Sequence, residues 1–124
     1  RKTASGYALK MKTYGYNTVA NKCASIVFNG GTQVTVSIWY YKGHQYFYGE
    51  LYATNFSVNS GLSLEKTSDI GYNTNNPNQW VQATLTFTPT GAGSCDIYFG
   101  LLTQSSGSTN NSFYYLDDLT ISQA

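Results

Sequence analysis

Charge is scarce in this chain. Seven Lys and Arg, six Asp and Glu and a single His among 124 residues leave 10% charged and a formal net charge of +1, where ordinary globular chains carry about a quarter charged residues. Without basic or acidic runs there is no electrostatic footprint of a nucleic-acid binder or of a partner for polyions, so no nucleic-acid partner is expected. Apolar runs end after a few residues, far short of the ~20 that a membrane helix needs, so no membrane partner is expected either. Two Cys and one His, scattered along the sequence, are too few for a zinc site of three or four ligands. No Ser or Cys stands in a nucleophile motif that the His could serve, and no Gly-rich phosphate loop leads from a strand into a helix. No secretory leader opens the sequence; a mature or excised piece of a secreted protein and a cytosolic protein would read alike.

Aromatic residues fill part of that gap. They make up 16% of the chain, with 12 Tyr, and the polar remainder is mostly Thr, Ser, Asn, Gln and Gly. So many aromatic and β-branched residues exclude disorder. Helical periodicity is missing, while period-two runs recur between Gly, Asn, Ser and Pro clusters. They predict strands at roughly Tyr7–Thr13, Cys23–Phe28, Thr32–Tyr41, Gln45–Thr54, Gln79–Thr88, Ser94–Leu102 and Ser112–Ser122, with a shorter one near Leu62–Glu65. Seven to eight such strands in one domain spanning residues 1–124 argue for an all-β antiparallel sandwich or barrel. The polar stretches Asn73–Asn78 and Gln104–Ser112 read as loops.

Alternation assigns the faces. Val34, Val36, Ile38 and Tyr40 share one side of the third strand. Leu51 and Ala53 point inward on the fourth; Val81, Ala83, Leu85 and Phe87 do so on the next long strand, and Ile97 and Phe99 on the one after. In the last strand Leu116 and Leu119 both look like core but are three apart, which a bulge at Asp117–Asp118 reconciles. The fourth strand carries the sharpest functional signal. Tyr46, Tyr48, Glu50 and Tyr52 alternate onto the side away from the core, and exposed aromatic patches mark binding surfaces. A tyrosine offers a flat apolar face and a hydroxyl, which suits a sugar ring with C–H groups on its face and hydroxyls at its edge. Glu50 and Asp96 are placed to accept sugar hydroxyls. The plainer alternative is that tyrosines are good strand formers. Trp39 depends on the turn that follows it. A two-residue hairpin at Lys42-Gly43 brings Trp39 opposite Tyr46 and onto the platform, with Tyr41 and His44; a crossover between sheets turns it outward elsewhere. Trp80, opening a strand after a polar loop, reads as a structural plug.

The segments Ser5-Gly6-Tyr7-Ala8-Leu9-Lys10, Val34-Thr35-Val36-Ser37-Ile38-Trp39, Gln79-Trp80-Val81, Leu85-Thr86-Phe87-Thr88-Pro89 and Tyr114-Tyr115-Leu116-Asp117-Asp118-Leu119 come in a familiar order. Together they resemble the carbohydrate-binding modules of the family 4, 9 and 22 type, and the resemblance covers most of the chain. It implies a jelly roll that binds a polysaccharide or oligosaccharide chain (β-glucan, xylan or mannan) along a concave face. It also implies a secreted, extracellular, monomeric module covalently linked to a glycoside hydrolase domain in a larger parent chain. Carried over position by position, it implies Tyr46, Tyr48, Glu50, Tyr52, Asp96 and Tyr98 as ligand-binding residues, with Tyr14 and Tyr16 as rim aromatics. One structural calcium ion is implied as a cofactor, with Asp117 and groups near the N-terminus as ligands; Asp117 shaping the bulge without metal is the alternative. Only Arg1–Ser5 precede the Gly-Tyr-Ala-Leu segment here, where the family has a further strand.

No catalytic residues are expected. A glycosidase needs two carboxylates about 5–9.5 Å apart, one with a raised pKa, and on an open platform Glu50 and Asp96 would both stay solvated. A surface adhesin using the same aromatic face, or a small hydrolase using Glu50 and Asp96, are the readings from other classes. If Cys23 and Cys95 are oxidised, the closed loop of roughly 70 residues adds about 4 kcal/mol on the chain-entropy model. The disulfide is the preferred expectation for a secreted module, with two free thiols as the alternative.

Overall fold

A computed structural model describes residues 9–13, 18–42, 47–67, 79–103 and 112–124, with side chains over 20–41, 49–67, 79–100 and 115–124. Among the described residues eight strands follow one another: β1 (Leu9–Thr13), β2 (Thr18–Phe28), β3 (Val34–Lys42), β4 (Phe47–Thr54), β5 (Glu65–Lys66), β6 (Trp80–Phe87), β7 (Gly93–Thr103) and β8 (Ser112–Gln123). A 3₁₀ turn at Val58–Ser60 lies between β4 and β5. The strands form two four-stranded sheets, ordered β1-β8-β3-β6 and β2-β7-β4-β5, and every pairing is antiparallel. This is the all-β sandwich of jelly-roll type that the sequence predicts. β2 begins earlier than its apolar run indicated, and the short strand falls on Glu65–Lys66 rather than Leu62–Glu65. The polar stretches Asn73–Asn78 and Gln104–Ser112 lie outside the described residues, apart from Ser112, which begins β8.

One side chain in two faces the partner sheet, as strand geometry requires. β6 alternates strictly from Gln82 onward, with Ala83, Leu85 and Phe87 buried between exposed Gln82, Thr84 and Thr86. Val34, Val36, Ile38 and Tyr40 from β3 meet Leu51 and Ala53 from β4 and Cys95, Ile97 and Phe99 from β7 in one core. Phe28, Phe56 and Phe87 close one end of it, with ring centroids 5.3 to 6.2 Å apart in tilted and edge-on contacts, the arrangements that aromatic quadrupoles favour. Phe99 lies against Tyr40 on one side and under Gly49 on the other. A Cβ on Gly49 would come within 2.6 Å of the Phe99 ring and 2.8 Å of the Gly100 carbonyl, so the glycine is there to make room for the ring.

β8 contains the expected bulge. Thr120 pairs with Ser37 and Asp117 with Trp39, so Asp118 and Leu119 together oppose Ile38. Asp118 takes a left-handed φ of 52°, and its amide donates to Asp117 Oδ1 at 2.9 Å. The extra residue restores phase, so that Leu116 is buried and Leu119 packs against the same core. Gln123 then anchors the strand's end: Nε2 donates to the carbonyls of Asn29 and Thr32, and Oε1 accepts from the Asn29 amide.

The Gly49 contact generates a direct test. Gly49→Ala overpacks the Phe99 site and is expected to cost about 1–3 kcal/mol in urea unfolding. Thr86→Ala, on an exposed position of β6, should stay within about 0.5 kcal/mol of the parent.

Candidate functional site

The outer surface of the β2-β7-β4-β5 sheet holds the candidate site. Directly opposed residues of antiparallel strands point to the same side. The pairs Lys22↔Tyr98, Tyr98↔Tyr52 and Tyr52↔Lys66 therefore form one row across all four strands. Their neighbours Leu51, Ala53, Ile97 and Phe99 are fully buried, so the row faces away from the core. Tyr52 and Tyr98 stack with centroids 5.4 Å apart and ring planes 6° from parallel. Carbon atoms in contact are about 3.5–4.0 Å apart, so the rings are offset and part of each face stays uncovered. Burial, with Tyr98 and Glu50 nearby, holds the Tyr52 phenol above its ordinary pKa, and it remains a neutral hydroxyl that can both donate and accept.

Two ion pairs frame the stacked rings. Lys22 Nζ lies 3.3 Å from Asp96 Oδ1, and Lys66 Nζ lies 3.7 Å from Glu50 Oε2. Asp96 is further held by Asn55 Nδ2, which donates to Oδ2 at 3.0 Å, and by Ser25 Oγ, which donates to Oδ1 at 2.8 Å. Asn55 reaches it from a left-handed backbone, φ 55°. These donors, Asn55 first and then Ser25, hold the Asp96 carboxyl below its ordinary value of 3.8. Both charges on each edge of the row are thus matched within the sheet. Exposed pairs of this kind add little to stability; their effect here is that, among the described side chains of the row and its edges, two cations are matched by two anions.

The structure brings together Glu50, Tyr52, Asp96 and Tyr98 of the predicted residues. Tyr48 lies on β4 opposite Leu102, but its side chain is outside the described portion, and Tyr46, Tyr14, Tyr16 and His44 lie outside the described residues altogether. Trp39 does not join this face. β3 and β4 belong to different sheets, so the chain crosses the sandwich after Lys42 and Trp39 points outward from the opposite sheet, paired with Gln82 and Asp117. Trp80 is not a core plug: it begins β6 and lies 5.6 Å from Tyr41 on that same outer surface. Lys22, Lys66, Ser25 and Asn55 escaped the sequence reading, because their roles follow from cross-strand register and not from any local motif.

Asp117 caps the bulge through the Asp118 amide. Calcium takes six to eight oxygens, and among the described residues no group of three or more His, Cys, Asp or Glu comes together. The groups near the N-terminus expected to share a calcium ion with Asp117 include residues 1–8, which lie outside the described residues. The expected disulfide is not present: Cys23 and Cys95 are free. Cys95 opposes Ile26 on β2, while Cys23 occupies the irregularity between Lys22 and Ala24, two to three positions further along. That offset exceeds the reach of a disulfide, whose Cα atoms are no more than about 7 Å apart.

Comparisons with solved structures place the fold. A structure of infectious bursal disease virus, Gx strain, matches 95% of this chain at 8% identity with a TM-score of 0.66, this chain spanning 29% of the viral one. A CBM4 structure matches 94% of this chain and 84% of its own at 18% identity, TM-score 0.60. The Family 16 Carbohydrate Binding Module-2 matches 90% of this chain and 74% of its own at 16% identity, TM-score 0.52. The EclA C-terminal domain, a sugar-binding protein, covers 98% of this chain and 83% of its own at 13% identity, TM-score 0.52. No protein-family model matches the sequence, and no curated protein matches it. At these identities the likeness establishes the shared sandwich fold.

Two measurements check the site. Burial pushes the Cys95 thiol up to about 11 and also raises Cys23. Without reductant, both thiols should titrate in denaturant, while native protein at neutral pH should react slowly, as thiolate is the reacting form. The Asp96 network gives a pH signature. A carboxyl with a lowered native pKa contributes stability above its ordinary range and loses it as pH falls through the lowered value. Asp96→Asn should therefore be less stable than the parent at neutral pH, with the difference shrinking on acidification.

Proposed function

We propose that this chain is a non-catalytic polysaccharide-binding module, carrying an attached enzyme to a glycan such as β-glucan, xylan or mannan. The observation that carries the reading is the offset-stacked Tyr52–Tyr98 pair, set outward on a sheet between two internally neutralised ion pairs. Sugar C–H faces pack on the uncovered parts of the rings, and the phenol hydroxyls and Glu50 exchange hydrogen bonds with sugar hydroxyls. Asp96, already holding three donors, acts mainly as a positioning residue that fixes Lys22 and Asn55 at the edge of the row. Matched charges among the described side chains suit an uncharged chain. The sequence alternation adds Tyr46 and Tyr48 to this proposal as further ring contacts; Tyr46 and the side chain of Tyr48 lie outside the described portion.

The shared fold supports this reading without deciding it, since the same architecture serves a viral protein and sugar-binding domains alike and function resides in the site. Hydrolysis is disfavoured on chemical grounds. Asp96 opposes Thr54 on β4, four positions from Glu50, or about 13 Å of strand at 3.3 Å per residue. A glycosidase places its carboxyl groups no more than about 9.5 Å apart. Secretion, the linked catalytic domain and a monomeric state belong to the same proposal.

Affinity electrophoresis through gels containing neutral polysaccharides tests it. The parent should be retarded by at least one glycan, and Tyr52→Ala and Tyr98→Ala should each weaken retardation at least tenfold, about 1.4 kcal/mol. Absence of retardation on every gel, or retention unchanged in both variants, would overturn the reading. Release of reducing sugar, abolished by Glu50→Gln, would make the protein a hydrolase instead.

A further inference from the structure

Trp39 and Trp80 are the two tryptophans of the chain, and both lie on the sheet opposite the tyrosine pair. The pairs Trp80↔Tyr41 and Tyr41↔Tyr115 set three rings in a row across β6, β3 and β8. Their centroids are 5.6 and 5.9 Å apart and their planes are tilted by 59° and 61°, so neither neighbour covers Tyr41 face to face. Trp39 lies two residues along β3 on the same side. Further along, the face continues through Gln82, Thr84 and Thr35 opposite Thr86, while Ser37 between them is buried with its hydroxyl 3.2 Å from that of Thr84. Gln82, Thr84 and Thr86 are exposed. Charge on this sheet includes the Asp117–Asp118 bulge and, on β1, Lys10, which opposes Tyr115 at the end of the row.

We propose that this outer face, centred on Trp80, Tyr41 and Tyr115 with Trp39 beside them, is a second binding surface that takes a neutral polysaccharide chain. The ligand class rests on the proposed function; the site itself rests on the aromatic row. Complementarity selects the occupant. A protein partner calls for an extended apolar centre within about 800 Å² per side, whereas here a narrow aromatic strip adjoins the exposed side chains of Gln82, Thr84 and Thr86. Ring faces for C–H groups, beside donors and acceptors for hydroxyls, complement a polyol without charge. With one such surface on each sheet, a single module can hold two glycan chains at once.

The placement of the tryptophans makes the test specific. Intrinsic tryptophan emission reports on this face and not on the Tyr52–Tyr98 face. Parent protein and a Tyr52→Ala/Tyr98→Ala variant are titrated with soluble β-glucan, xylan and mannan, and emission is followed. The proposal expects a saturable emission change with at least one polysaccharide in both proteins, and at least tenfold weaker response once Tyr41→Ala is added. It is overturned if a polysaccharide that retards the parent in gels leaves its tryptophan emission unchanged; the proposed function then stands on the tyrosine pair alone. It is also overturned if a proline-rich peptide changes the emission and no polysaccharide does. An emission response with undiminished gel retention in the double tyrosine variant would instead support this face and remove the first. The emission reading on unmutated protein needs no variant to fold.

Discussion

Each strand of this sandwich must turn one residue in two toward the shared core, and everything functional in it is what alternation leaves over. Leu51 and Ala53 are buried without exposed surface, as are Ile97 and Phe99. The residues between them therefore have nowhere to go but outward: Glu50 and Tyr52 on β4, Asp96 and Tyr98 on β7. The antiparallel register then decides which of these meet. It aligns Lys22, Tyr98, Tyr52 and Lys66 across four strands, and a slip of one residue would send every one of them into the core. The same rule on the other sheet brings Trp80, Tyr41 and Tyr115 into line. Packing against Phe99, for which Gly49 gives up its side chain, thus fixes the surface as firmly as it fixes the interior.

The two outer faces differ in chemistry. On one, two aromatic rings lie parallel and are bracketed by lysines whose charges are matched by Asp96 and Glu50. On the other, three rings are tilted against one another and adjoin hydroxyl and amide rows. On the first, the described lysines are matched by Asp96 and Glu50; the second sheet carries Asp117 and Asp118, with Lys10 of β1 opposite Tyr115.

Much of this was legible from residue order. The alternation in Val34–Tyr40 and Val81–Phe87 assigned core and surface correctly, and the three-residue spacing of Leu116 and Leu119 located the bulge. Local pattern reached its limit where partners are distant. Trp39 could join the tyrosines or leave them depending on whether β3 and β4 share a sheet, and nothing in Lys42-Gly43 decides that. Lys22 and Lys66 are unremarked polar residues in sequence and become part of the site only through register. Cys23 and Cys95 invited a disulfide by their number, yet the irregularity at Lys22/Ala24 and the offset along β2 and β7 keep the sulfurs apart. Where the answer lay within one strand the sequence contained it; where it lay between strands it needed the fold.

The central claim is that the Tyr52–Tyr98 face meets a neutral glycan. Residue-resolved NMR during a titration with soluble polysaccharide tests it most directly. The account predicts perturbations that include the ring and backbone signals of Tyr52 and Tyr98 together with their neighbours Glu50 and Lys22. Binding that leaves those signals unmoved, with every perturbation elsewhere on the molecule, would contradict it.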